Sequence, residues 1–154
     1  MAAGIDTTGD ALCFLMWELS QPRSRHVQRK LQQELLAAKS NGVTDNKLAQ
    51  LPYLEAVIME GLRCWPAIPM SLPRVVPWDE KGGKEIDGWW VPSGTVVSCQ
   101  AYSVHRLGID SKGEWFPEEA EEFRPERWLG GEAEEWKKRF FAFATGGRGC
   151  IGKQ

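Results

Sequence analysis

The stretch FATGGRGCIGKQ, Phe143 to Gln154, places four glycines, one arginine and one cysteine within twelve residues. Three chemistries use such a pattern. Gly147 through Lys153 fits the phosphate loop G-x-x-x-x-G-K, but Gln154 stands where a serine or threonine would bind magnesium. Gly147, Gly149 and Gly152 fit the dinucleotide fingerprint G-x-G-x-x-G. That motif needs a preceding strand, a following helix and an acidic residue about 20 positions on, and the sequence offers no such downstream part. The third chemistry makes Cys150 a metal ligand. Glycines let backbone amides approach a thiolate without side chains in the way. Arg148 adds positive charge that keeps the sulfur deprotonated or clamps an anionic group, and Phe143 is placed to shield the sulfur from solvent. A glycine-rich turn around a buried cysteine accounts for the same stretch.

The rest of the sequence bounds the choice. The 154 residues suffice for one ordinary domain. A net charge of −2 points to neither nucleic acid nor an anionic membrane as partner. No apolar run approaches the roughly 18 residues of a membrane span, so the segment itself reads as soluble. The four cysteines at 13, 64, 99 and 150 form no C-x-x-C pair, which argues against a zinc site or a disulfide framework. Cys13, Cys64 and Cys99 lie in apolar stretches and read as buried small hydrophobes. Eight tryptophans, most in the second half, suit irregular backbone or a cofactor-bearing fold.

Three helices lead. Residues 1–22 read as a helix that stops before Pro22. Residues 24–42 form a second, with Val27, Leu31 and Leu35 recurring at i+4 and Asn41-Gly42 as its stop. Residues 51–66 form a third, with Pro52 at its first position and Leu54, Val57, Ile58 and Leu62 as its apolar face. A proline-rich region follows. IDGWWVPSGTVVSCQ reads as a β-hairpin turning at Pro92-Ser93-Gly94. Beyond Tyr102 the chain meanders, with a short acidic helix near 118–122, and such long structureless runs are usually functional. The class is mainly α, in the α+β sense, with a small hairpin sheet. Residues 1–154 read as a single partial domain.

Four segments decide between the readings of Cys150. Phe143, Gly146, Arg148, Cys150 and Gly152 spell F-x-x-G-x-R-x-C-x-G. Ala3 to Thr8 reads AGIDTT, Glu60 to Arg63 gives E-x-x-R, and Phe123 to Trp128 reads FRPERW. In this order they resemble the haem-ligand signature, oxygen-activation segment, E-x-x-R motif and second-arginine segment of the cytochrome P-450 family of haem-thiolate monooxygenases. The likeness covers essentially the whole chain and is closest in style to fungal microsomal members. Ala144 departs from the pattern, since many members carry glycine there, and an added methyl is expected to matter little.

The resemblance implies a role for each residue. Cys150 is the axial ligand of haem iron, and Phe143, Gly146 and Gly152 shape its turn. Arg148 and Arg74 pair the haem carboxylates. Thr7 and Asp6 deliver protons to bound dioxygen, with Gly4 letting the helix bulge beside the iron, although Asp6, Thr7 or Thr8 at a helix start also suits capping. Glu60, Arg63 and Arg127 form a buried structural network that pins the meander. Ala67, Ile68 and Met70, with Pro69, Ser71 and Leu72, line an apolar substrate pocket. His105 packs and hydrogen-bonds near the haem edge without ligating, and His26 is solvated.

The family's chains are several times longer, so the resemblance makes this a C-terminal fragment. Its full-length form is expected in the endoplasmic reticulum membrane, the anchor lying outside this chain. The implied partners are a lipophilic small-molecule substrate, O2 and an NADPH-dependent cytochrome P-450 reductase, with no nucleic acid. Two alternatives remain beside the monooxygenase. One is a truncated remnant that holds no haem alone. The other is a haem-thiolate enzyme that rearranges peroxides, against which the Asp6-Thr7 pair argues.

Overall fold

The computed structural model describes residues 2–70, 73–107, 118–131 and 133–153. Ser71, Leu72 and Trp115 lie outside the described residues. The backbone groups into two compact units, Met1–Pro69 with Ala101–Gln154, and Met70–Gln100.

The first unit is helical. Helix α1 spans Ala2–Ser20 and is followed by a 3-10 turn at Pro22–Ser24. Helix α2 spans Arg25–Ser40, the one-turn α3 Asp45–Leu48 and α4 Pro52–Cys64. Gly42 ends α2 at φ +68. The Gly42 and Val43 amides donate to Lys39 and Ala38 at 3.1 and 3.0 Å, closing a six-to-one and five-to-two pair that satisfies the last carbonyls. The start of α4 is closed from a distance. The Tyr53 and Leu54 amides donate to the two carboxylate oxygens of Glu34 on α2, at 2.9 and 2.8 Å. A carboxylate at this end also suits the helix dipole.

Val27, Tyr53 and Val57 form one core, joined by Leu15, Leu19, Leu31 and Phe123. A β-carbon on Gly61 would meet Leu15 Cδ1 at 2.9 Å, so α1 and α4 approach closely there. The inward face of α4 differs from the aliphatic one expected. Ile58 is exposed, while Tyr53, Ala56, Val57, Glu60, Gly61, Arg63 and Cys64 are buried. Val57 of the expected face is buried against aliphatic neighbours, while the rest of the packed side meets charged and aromatic groups.

Downstream come α5 (Ala101–Val104), 3-10 turns at Glu118–Ala120 and Pro125–Trp128, α6 (Ala133–Arg139), and 3-10 turns at Gly146–Arg148 and Ile151–Lys153. Only the turn at 118–120 stands where an acidic helix was expected. Helix α6 went unforeseen. Its acidic first turn and basic last turn suit the dipole, and Trp136 joins Ala56 and Trp128 in a second core.

The second unit holds two antiparallel ladders. Strand β1 is Arg74–Val75, β2 Gly83–Ile86, β3 Trp89–Pro92 and β4 Val96–Val97. The hairpin expected to turn at Pro92-Ser93-Gly94 turns earlier. β2 and β3 pair across Asp87-Gly88, whose φ values of +49 and +78 make a primed turn that matches strand twist. The bend at 92–94 sends the chain on to β4, which pairs with β1.

Candidate functional site

Glu60 lies at the centre of the helical unit with no exposed surface. Its carboxylate accepts five hydrogen bonds. Oε1 takes Arg63 Nη2 at 3.0 Å, Arg127 Nε at 2.9 Å and the Arg124 amide at 2.8 Å. Oε2 takes Arg63 Nε at 2.8 Å and Trp128 Nε1 at 2.9 Å. The i,i+3 spacing on α4 brings Glu60 and Arg63 together, and the turn at Pro125–Trp128 delivers Arg127 and Trp128 to the same carboxylate.

The two arginines are bound unequally. Arg63 also donates to the carbonyls of His105, Ala120 and Glu122 at 3.2, 2.7 and 3.0 Å. Burial opposes its charge, but its two hydrogen bonds to Glu60 and the attraction of that carboxylate more than offset this and raise its pKa. Arg127 reaches Glu119 and Glu122 carbonyls at 2.9 and 3.2 Å. Its Nη1 is buried with no hydrogen-bond partner among the described residues. Burial and the nearby Arg63 charge lower its pKa, against the pull of Glu60. Trp136 covers both cations, with guanidinium carbons 5.8 and 4.5 Å from its ring centre. Burial pushes the adjacent Cys64 thiol up to about 12, against the Arg63 charge.

Trp128, His105 and Arg106 complete this centre; the sequence reading gave His105 a packing and hydrogen-bonding role and gave Trp128 and Arg106 none. His105 Nδ1 meets the Arg63 carbonyl at 3.1 Å, and the Phe141 amide donates to its Nε2 at 2.8 Å. One acceptor and one donor fix the ring as the neutral Nδ1–H tautomer. Burial is the main cause that lowers its pKa to about 4. Arg106 Nη2 donates to the Cys64 carbonyl at 3.1 Å. Two consecutive residues thus cap carbonyls in the last turn of α4. The only sequence signal for them is the pair His-Arg itself.

Cys150 sits on a separate, tight turn. Its amide donates to the Phe143 carbonyl at 2.8 Å, and the Gly149 amide donates to Gly146 at 3.0 Å. Gly146 has φ +66. Ala144 has φ +54, a left-handed conformation that disfavours any β-carbon. The methyl expected to matter little therefore strains the turn. Cys150 and Arg148 are exposed, and a β-carbon on Gly146 or Gly147 would meet nothing within 4 Å. Phe143 is half-buried, its ring 6.2 Å from Phe140. The Gly152 β-carbon position lies 3.6 Å from the Cys150 sulfur. A soft sulfur donor on a hydrogen-bonded turn, exposed and flanked by glycine backbone, has the chemistry of a haem-iron ligand. Cys13 and Cys99, expected to be buried, are exposed, and only Cys64 is buried as expected.

The remaining sites are placed as follows. The α1 backbone runs as an α-helix through Gly4, without the bulge expected there. Thr7 Oγ1 donates to the Ala3 carbonyl at 2.8 Å, one turn back, so it acts inside the helix and not as a cap. Asp6 is exposed. Arg74 opens β1, exposed, with Nη1 donating to Pro73 at 3.0 Å. Ala67 is half-buried, while Ile68 and Met70 are 49% and 70% exposed. His26 is exposed.

Comparison with known proteins covers the same span. The family profile described as Cytochrome P450 matches residues 1–154. The chain is 37% identical to cytochrome P450 monooxygenase hkm5 of Aspergillus hancockii, over 97% of this chain and 28% of that protein. It is 38% identical to cytochrome P450 monooxygenase cfoH of Aspergillus candidus, over 99% of this chain and 29% of that protein. It is 37% identical to pisatin demethylase of Fusarium vanettenii, over 99% of this chain and 28% of that protein. The chain thus spans under a third of the length of these curated relatives.

Proposed function

The chain belongs to the cytochrome P450 family, and from that premise we propose that Cys150 is the axial thiolate of the haem in a monooxygenase of which residues 1–154 form part. The observation that carries this reading is the Cys150 turn, locked by its amide to Phe143 while the thiol stays exposed. Haem held by cysteine supplies dioxygen activation, because the thiolate donates electron density that favours O–O cleavage.

The chain's own residues have distinct tasks. Arg148 and Arg74 each offer a planar fork to a haem carboxylate. Thr7 already uses its proton on Ala3, so its free lone pairs accept a hydrogen bond from a water. Asp6, one residue before and exposed, passes protons in from solvent. Glu60, Arg63 and Arg127 hold the meander and touch no reacting atom. Ala67, Ile68 and Met70 supply an apolar wall for a lipophilic small molecule. Electrons come from an NADPH-dependent reductase. Residues 1–154 belong to one haem-binding domain of the complete protein, which resides at the endoplasmic reticulum membrane. Among the described residues no helix is long and apolar enough to cross a membrane.

The test is the spectrum of the complete protein, reduced and exposed to carbon monoxide, beside Cys150→Ser. A strongly red-shifted Soret band lost in the variant supports thiolate ligation. A band that survives the substitution overturns it. The same measurement on residues 1–154 alone decides whether this segment holds haem by itself or is inactive without the rest.

A further inference from the structure

We propose that His105 is a positioning residue that ties the Glu60 centre to the turn carrying Cys150, and so sets how that thiolate is presented. The proposal rests on Cys150 as the haem ligand. It starts from a continuous path of contacts. Glu60 fixes Arg63 through two hydrogen bonds. The Arg63 carbonyl accepts from His105 Nδ1 at 3.1 Å. His105 Nε2 accepts from the Phe141 amide at 2.8 Å. Two residues on, the Phe143 carbonyl accepts from the Cys150 amide at 2.8 Å.

The path has little slack. His105 is 2% exposed, and its ring stacks on Phe140 at 5.4 Å and 11°. Phe140 in turn meets Trp128 edge-on at 5.5 Å and Phe143 at 6.2 Å. Phe140 is therefore held between His105 and Trp128, and Phe141 by its amide to His105, all groups that Glu60 organises. Without the imidazole acceptor, the Phe141 amide loses its partner, and no other restraint of this kind ties residues 140–143 to α4 among the described residues. Phe141 is half-buried, so its amide without the imidazole must shift toward another acceptor or toward solvent. The segment then relaxes, and the strained turn at Ala144 and Gly146 relaxes with it.

The ring's two nitrogens allow a test that separates positioning from bulk. His105→Gln keeps a polar atom near Nε2 and can accept from Phe141. His105→Asn keeps one near Nδ1 and can donate to Arg63 only. His105→Phe keeps the stacking on Phe140 and neither bond. Each variant is made in the complete haem-loaded protein. Two quantities are followed: amide exchange at Phe141 and Cys150, and the proportion of the reduced carbon monoxide complex in the thiolate form. The proposal expects both amides to exchange about tenfold or more faster in the Asn and Phe variants, with Gln near wild type. The thiolate fraction should fall in the same order. Equal behaviour of Gln and Asn, or wild-type exchange in the Phe variant, overturns it. If wild type itself lacks the thiolate band, the haem reading fails, while the exchange order among the three variants still decides the strut.

Discussion

Arg63 and His105 hold each other by reciprocal side-chain to backbone bonds. The guanidinium donates to the His105 carbonyl at 3.2 Å, and the imidazole meets the Arg63 carbonyl at 3.1 Å. The pair joins α4 to the chain just after α5, across 42 positions of sequence. Each bond orients the group that makes the other, so losing either side chain loosens both.

The carboxylate of Glu60 balances two buried cations. Replacing it with glutamine leaves Arg63 and Arg127 facing a neutral amide, and we expect a loss of about 3–5 kcal/mol. Urea unfolding of the holoprotein measures it, and a loss under about 1 kcal/mol would show that the charge is dispensable. Arg63→Met and Arg127→Met should differ. Arg127 already carries an unpartnered nitrogen, so its removal should cost about 1–2 kcal/mol, less than that of Arg63.

Acid should weaken the fold through His105. Buried, and facing the Arg63 and Arg106 charges against that of Glu60, its pKa is lowered from 6.5 to about 4. Between these values the unfolded chain binds more protons than the folded one. Stability therefore rises with pH across that window and is complete above it. Acidification from pH 6.5 to 4 should remove on the order of 3 kcal/mol. The stability curve of His105→Gln, subtracted from that of wild type, isolates this slope, and a flat difference would contradict it.

Ala144 occupies a left-handed conformation at φ +54. Glycine there should stabilise the protein by about 1 kcal/mol, because the β-carbon clash disappears. Calorimetry of Ala144→Gly should show a higher melting temperature. A lower one would mean that the entropy glycine adds to the unfolded chain outweighs the relieved strain.

Gly83 lies against the Val91 carbonyl and the Trp90 ring of the facing strand. A methyl there meets backbone that cannot step aside. Gly83→Ala should cost about 1–3 kcal/mol and spread the β2–β3 ladder. Exchange rates of the β2 and β3 amides report this directly, and unchanged rates would refute it.

Much of this architecture is legible in the residues. Proline stops, the Asn41-Gly42 signal and four-residue spacing locate α1, α2 and α4, because each is a local rule. Ile58 was placed inward because periodicity counts only apolar positions, whereas the burial of Glu60 and Arg63 came from the resemblance. Their partners arrive from 42 to 68 positions away, beyond any window. Asp87-Gly88 is a strong short-range hairpin signal, yet the Pro-Ser-Gly stretch drew the assignment to itself. Helix α6 was missed because only Ala133 and Trp136 of its seven residues are buried. The Cys150 turn was recognisable from its glycines, but the positive φ at Ala144 has no signature in an alanine.

The carboxylate clamp at the start of α4 bears on the order in which the molecule assembles. Glu34 and Tyr53 are 19 positions apart, whereas Arg127 and Glu60 are 67 apart. Closing the shorter loop loses less chain entropy. We therefore expect α2 and α4 to dock first as a local pair, with the distant arginine closing late. Nucleation then lies in the aliphatic half of the unit, and the charged centre acts as a late checkpoint that locks only a correctly docked chain.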